Sequence, residues 1–152
     1  MKITSRFTIA VHTLLCIAYF SKTCKVTSSF LAGSIQVNPV VIRRILGQLK
    51  EADLVKVEAG VGGASLAKPL KEITLLQVFQ AVECTEDSLF HFHENPNPAC
   101  PVGRIIHHVL DPELEQIQKA MENQMQAVTL DSLLQTAQKE IQTQSEVPND
   151  PS

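Results

Sequence analysis

Tryptophan is absent from this 152-residue chain and tyrosine occurs once, so a large aromatic interface is not expected. Four cysteines (Cys16, Cys24, Cys84, Cys100) lack the short paired spacing of a disulfide framework. Free thiols in a cytoplasmic protein are the expectation. No acidic side chain appears before Glu51. The run FTIAVHTLLCIAYF, residues 7–20, follows Lys2 and Arg6 as a signal peptide would, yet it holds Thr8, His12 and Thr13. It is too short to span a bilayer and has no small-residue cleavage site before SKTCK, so it reads as a buried amphipathic helix with no membrane partner. What is abundant is apolar: 44% of the residues are hydrophobic, enough for one domain with a real core.

The net charge of −3 conceals a split. Residues 1–71 hold ten Lys/Arg against three Asp/Glu, and residues 72–152 hold three against thirteen. That asymmetry points to a polyanion-binding half joined to a half with another task.

Thr4 or Ser5 can cap a first helix whose buried face would take Phe7, Ala10, Val11, Leu14, Leu15 and Ala18. Thr27 or Ser28 can cap a short second helix, SSFLAGSI, anchored by Phe30, Leu31 and Ile35. In VNP, Asn38 is an N-cap and Pro39 takes the first helical position, where its missing N–H costs nothing. The third helix, PVVIRRILGQLKEAD, buries Ile42, Ile45, Leu46 and Leu49 and leaves Arg43, Arg44, Gln48 and Lys50 toward solvent. Two β-prone segments, 54–58 and 64–67, flank Gly60, Gly62 and Gly63, which are half of the six glycines. This reads as a hairpin with a loop that needs positive φ or close backbone approach. It is not a phosphate-binding loop, because no helix with a Lys-Ser/Thr pair follows.

Three helices followed by a hairpin is the order of a winged helix-turn-helix. The third helix would enter the major groove of double-stranded DNA, where arginine suits guanine O6/N7 and valine suits a thymine methyl. The fold class expected is mainly α with a small β-hairpin wing. Past the wing, Thr74 caps ITLLQVFQAVE, with Leu75, Val78, Phe79 and Val82 packed. RIIHHVL reads as a short helical piece. Asp111–Pro112 reads as the N-cap and first position of a long helix carrying Leu114, Ile117, Met121, Met125 and Val128. A narrow apolar stripe on a polar helix suits helix–helix association, here a homodimer over a palindromic site. Thr129 would cap a last helix. The organisation is then 1–83 DNA-binding, 84–110 connector, 111–142 dimerisation and final helix, 143–152 disordered tail.

The start KITSRFTIAVHTLL, the segment VNPVVIRRILGQLKEADLV, the wing GVGGASLAKP, EITLLQVFQAVE and VTLDSLL occur in an order and spacing that resembles the Rrf-two family of bacterial winged-helix regulators. NPVVIRRI, AGVGGASL, HENPNPACPVG and QKAMENQM are similar to its YwnA-type subgroup. The resemblance implies a homodimeric DNA-binding repressor or activator, with repression expected, and a long helix that builds the dimer. It implies that Asn38, Val40, Arg43 and Arg44 read DNA, that Gly62 and Gly63 approach the groove, and that Thr4, Ser5 and Arg6 anchor phosphates. Several family members hold an iron–sulfur cluster through three cysteines before the long helix. Here only Cys100 occupies such a position, and Gly103 stands where a cluster-bearing member has a histidine ligand. A cluster needs three or four protein ligands, so none is expected.

HFHENPNPACPVG, residues 91–103, keeps three readings. His91, His93 and Cys100, with His107 or His108, offer zinc-type ligands in no recognised zinc spacing. Cys100, just before a helix, is a candidate sensing thiol. Or the prolines form a connector under which Phe90, Phe92 and Cys100 pack, since free cysteine is often a small buried hydrophobe. An effector bound near residues 84–104 remains open. Two alternatives to the regulator stand beside it. One is an interaction module binding an enzyme through the acidic half. The other is a hydrolase using Cys100 with His91 or His93, for which no orienting group or oxyanion hole is evident.

Overall fold

The computed structural model describes residues 4–58, 62–83, 90 and 93–146. Helix α1, Ser5–Phe20, starts at Thr4, whose hydroxyl accepts from the Arg6 N–H at 3.2 Å. Ala10, Thr13, Leu14 and Ile17 form its buried stripe, with Cys16 beside them. Of the expected face, Ala10 and Leu14 are buried, while Phe7, Val11, Leu15 and Ala18 are only partly so. The helix is apolar nearly all round, so its periodicity pointed only loosely. Packing against α2, α3, α4 and α6 chose the face.

Helix α2, Ser28–Ile35, is capped by Thr27, which accepts from Phe30 N–H at 3.1 Å. It ends at Gln36 in the left-handed region (φ 60°), which turns the chain straight into the Asn38 cap of α3, Pro39–Glu51. Asn38 Oδ1 accepts from Val40 N–H at 2.9 Å. Ile42, Ile45, Leu46 and Leu49 are the buried residues of α3, as their spacing required. Three residues, 36–38, thus separate two helices whose apolar faces meet, which is a helix-turn-helix.

Strands β1, Val55–Val57, and β2, Ala64–Leu66, pair antiparallel, with Lys56 opposite Ser65. The α1–α2 link lies along the hairpin, and Ala64 N–H donates to the Val26 carbonyl at 2.8 Å. A single 3-10 turn, Leu70–Glu72, leads to α4, Leu75–Val82, whose capping box joins Thr74 and Gln77 reciprocally. Val78, Phe79 and Val82 are buried there and Leu75 partly so. The shared core gathers Leu14, Ile17, Leu31, Ile45, Leu49 and Val78. Each such aliphatic contributes roughly 1.5–3 kcal/mol relative to exposure.

The long helix departs from expectation. Helix α5 runs unbroken from Pro101 to Ala127, about 40 Å, with Pro112 inside it. Asp111 is not an N-cap; its carboxylate lies 3.2 Å from His107 Nδ1 one turn back. Pro112 is exposed, so the carbonyl that loses its helical donor there can turn to water. No structural break therefore falls at 110/111. The chain then returns. Leu75 N–H donates to Val128 C=O at 3.0 Å, and Leu130 N–H donates to Ile73 C=O at 2.9 Å. This short bridge lays α6, Leu130–Glu146, back on the N-terminal half, with Leu130 and Leu134 buried. Thr129 caps α6, accepting from Ser132 N–H at 3.2 Å. Residues 143–146, expected in a disordered tail, are helical; 147–152 lie outside the described residues.

Candidate nucleic-acid interface

The solvent face of α3 carries Val40 (53% exposed), Arg43, Arg44 and Lys50. Arg43, Gly47 and Lys50 sit at i, i+4 and i+7, and together they line one wall of a groove of about 400 Å³. The opposite wall is the wing, with Val57, Glu58, Gly62 and Gly63. Thr27 and Ser28 close one end, so the N-terminus of α2 opens into the groove. Two cations and a helix start give it a positive character that Glu58 only partly offsets. Arg44 is exposed but is not among the groove's lining residues, so the adjacent arginines serve different directions. Lys50 belongs to the groove although the resemblance did not point to it; its position seven residues after Arg43 was the available signal.

The wing glycines answer to the protein first. A Cβ on Gly63 would stand 2.9 Å from both the backbone N and O of Val26. A Cβ on Gly62 would collide with the Cβ of Glu58. Both residues also line the groove. Gly60 lies outside the described residues.

Thr4, expected to anchor a phosphate, is engaged within the chain. Its hydroxyl donates to Glu83 Oε1 at 2.6 Å while accepting from Arg6 N–H, and its own N–H donates to the same carboxylate at 3.0 Å. Ser5 is exposed. Arg6 is 43% exposed and extends past Glu83 at 3.7 Å. Sequence reasoning missed Glu83 altogether. Its partners are 79 residues away, and no local pattern marks it.

Cys100 occupies the N-cap position of α5 and is exposed, so it does not pack beneath the helix as one reading held. Its sulfur makes no capping hydrogen bond by distance, yet the backbone N–H groups of Gly103, and then of Val102, favour thiolate and hold the thiol below its usual range. Cys16 is buried and Cys24 exposed. His93 stacks on His107 at 5.6 Å between ring centroids. Cys84, His91 and Phe92 lie outside the described residues. Among the described residues no group of three or more His, Cys, Asp or Glu is placed to hold a metal ion. At position 103 a Cβ would meet the Asn97 carbonyl oxygen at 2.5 Å, which leaves no room for a ligating side chain without moving the loop.

On α5 the stripe is Leu114, Ile117, Met121, Met125 and Val128. Ile117 is 52% exposed and the other four are partly buried. Val102, Ile105, Val109 and Leu110 extend the exposed apolar surface toward the helix start. No residue of α5 is buried in the single chain. Among the described residues no helix is long and apolar enough to cross a membrane.

With this geometry in hand, the comparisons with known proteins are direct. The Rrf2 family model, described as an iron-dependent transcriptional regulator, matches residues 3–136. YwnA of Bacillus subtilis (strain 168), provisionally named a helix-turn-helix-type transcriptional regulator, is 45% identical over 132 residues, 87% of this chain and 96% of that protein. A crystal structure of a protein provisionally assigned to DNA binding superposes with a TM-score of 0.67 at 38% identity, covering 86% of this chain and 99% of that one. CymR, the global cysteine regulator of B. subtilis, shares the fold at 18% identity with a TM-score of 0.66, covering 89% and 97%. The iron dependence is the family model's description, and at Gly103 of this chain a side chain would meet the Asn97 carbonyl oxygen. The chain belongs to the Rrf2 family of DNA-binding transcriptional regulators and is not an enzyme.

Proposed function

We propose that this protein is a cytoplasmic, homodimeric repressor that reads a palindromic operator in double-stranded DNA through α3 and the wing. The observation that carries the reading is the groove between them: Arg43 and Lys50 on one wall, glycine-lined main chain on the other, the N-terminus of α2 at the end. Arg43, Arg44 and Val40 meet base edges, Asn38 fixes the start of α3, Ser5 and Arg6 take phosphates, and the wing glycines let main chain approach the backbone. The unburied apolar face of α5 supports a second copy, which would set two α3 helices one helical turn of DNA apart. The protein carries no iron–sulfur cluster and no zinc in this reading. Cys100, exposed and biased toward thiolate at the start of α5, is the group through which oxidation or alkylation would reach the dimer helix.

The test begins with a duplex selected by the protein from a random-sequence pool. Arg43→Ala and Arg44→Ala each weaken binding to it about tenfold or more, since a bidentate arginine–guanine pair is worth roughly 1–3 kcal/mol. Non-specific binding falls less. If both variants bind the selected duplex like the parent, α3 is not the reading element. Peroxide or a quinone should lower the parent's affinity but not that of Cys100→Ser; an unchanged parent would make Cys100 structural. A reporter fused downstream of the operator separates repression from activation.

A further inference from the structure

Glu83 is a carboxylate placed where carboxylates are costly. Its side chain is 2% exposed, and it sits at the C-terminal cap of α4 against the N-terminus of α1. Burial of that charge demands compensation. The compensation comes from one place: the Thr4 N–H at 3.0 Å, the Thr4 hydroxyl at 2.6 Å and the Arg6 guanidinium at 3.7 Å. An anion at a helix start is favoured by the unpaired N–H groups and dipole there. Glu83 therefore caps a helix 79 residues away in sequence.

The consequence falls on Arg6. Its Nε donates to Thr4 Oγ1 at 3.3 Å, and one terminal nitrogen faces Glu83. The guanidinium fork has five N–H donors, and 43% of the side chain remains exposed. The Nε edge of the fork is thus held while part of the side chain stays open to solvent. We propose that Glu83 is a positioning residue for DNA binding: it fixes the start of α1 and pre-orients Arg6 toward the phosphate backbone. The inference rests on the DNA-reading role proposed above.

Two effects oppose each other when the charge of Glu83 is removed. Freed of its anchor, Arg6 and the first turn of α1 must be ordered at the moment of binding, which weakens affinity about tenfold. A negative charge has also left the neighbourhood of the bound phosphate, which strengthens affinity about threefold at most, because the phosphate itself lies in screening solvent. The loss of order wins.

A double-mutant cycle on a duplex selected by the parent decides the matter. Glu83→Gln keeps the size and an acceptor for Thr4, so it is the variant least apt to unfold. Its thermal midpoint and helical content are measured first, and Glu83→Asp serves as the charge-retaining control. Expected are about threefold or greater weakening for Glu83→Gln in the parent, partial recovery for Glu83→Asp, and less than about twofold further loss when Glu83→Gln is added to Arg6→Ala. Equal weakening in both backgrounds makes Glu83 merely structural and overturns the proposal. So does an Arg6→Ala variant that binds like the parent, since there is then nothing to position. A parent that selects no duplex at all sinks the DNA-reading role itself, and this inference with it.

Discussion

A single missing methyl group shapes the wing. Gly63→Ala puts a Cβ within 2.9 Å of two backbone atoms of Val26, and neither can yield as a flexible side chain would. The substitution should destabilise the fold by about 1–3 kcal/mol, read by urea unfolding. A variant as stable as the parent would show that the α1–α2 link is free to move away. Cys100 carries a prediction of another kind. Because its thiol lies below the usual range, its thiolate persists to lower pH. In a Cys84→Ser background, the iodoacetamide rate at Cys100, followed by mass spectrometry, should fall off at a lower pH than for glutathione. Cys16, buried in α1, should stay unlabelled until the protein unfolds. The exposed placement of Asn38, Val40, Arg43 and Arg44 was legible because an N-cap and a hydrophobic period define which face of a helix is left over. The bond between Thr4 and Glu83 was missed, since only the approach of α4 to α1 joins them.

Among the elements, α5 shows how far local signals reach. Asp111–Pro112 carries every mark of a helix start, and an isolated peptide would obey it. The helix instead passes through, with His107 hydrogen-bonded to Asp111. Proline inside a helix costs about 3 kcal/mol relative to alanine in isolation. Pro112→Ala should therefore raise the thermal midpoint by several degrees. An unchanged or lowered midpoint would mean that a kink at Pro112 is required for packing. The shorter elements were legible to within a residue or two, because each has its own cap: Thr27, Asn38 and Thr74.

Considered whole, the chain has a helix of 27 residues with none buried, and exposed Val102, Ile105, Val109, Leu110 and Ile117 along it. Apolar surface of that extent on a folded chain marks an interface. Sedimentation equilibrium at micromolar concentration should give twice the monomer mass, and Ile117→Glu should shift the protein toward monomer. A parent that remains monomeric ends the argument for a palindromic site. Affinity for DNA should also fall steeply with salt, since the basic half displaces condensed counterions; a flat salt dependence would count against phosphate contacts altogether.

The sequence by itself determined the order of elements as far as α4, the buried face of α3, the caps at Thr27, Asn38 and Thr74 and the division of charge, because caps and periodicity act over four residues and charge is additive. Tertiary structure decided what those pieces face. The buried stripe of α1 follows from five neighbours packed around it, the wing glycines from the nearness of Val26, the course of α5 from its packing on α4 and the return of α6, and the Thr4–Arg6–Glu83 cluster from a contact between residues 79 apart. Distance along the chain hides such contacts, because closing a long loop is favoured only by the packing of everything between.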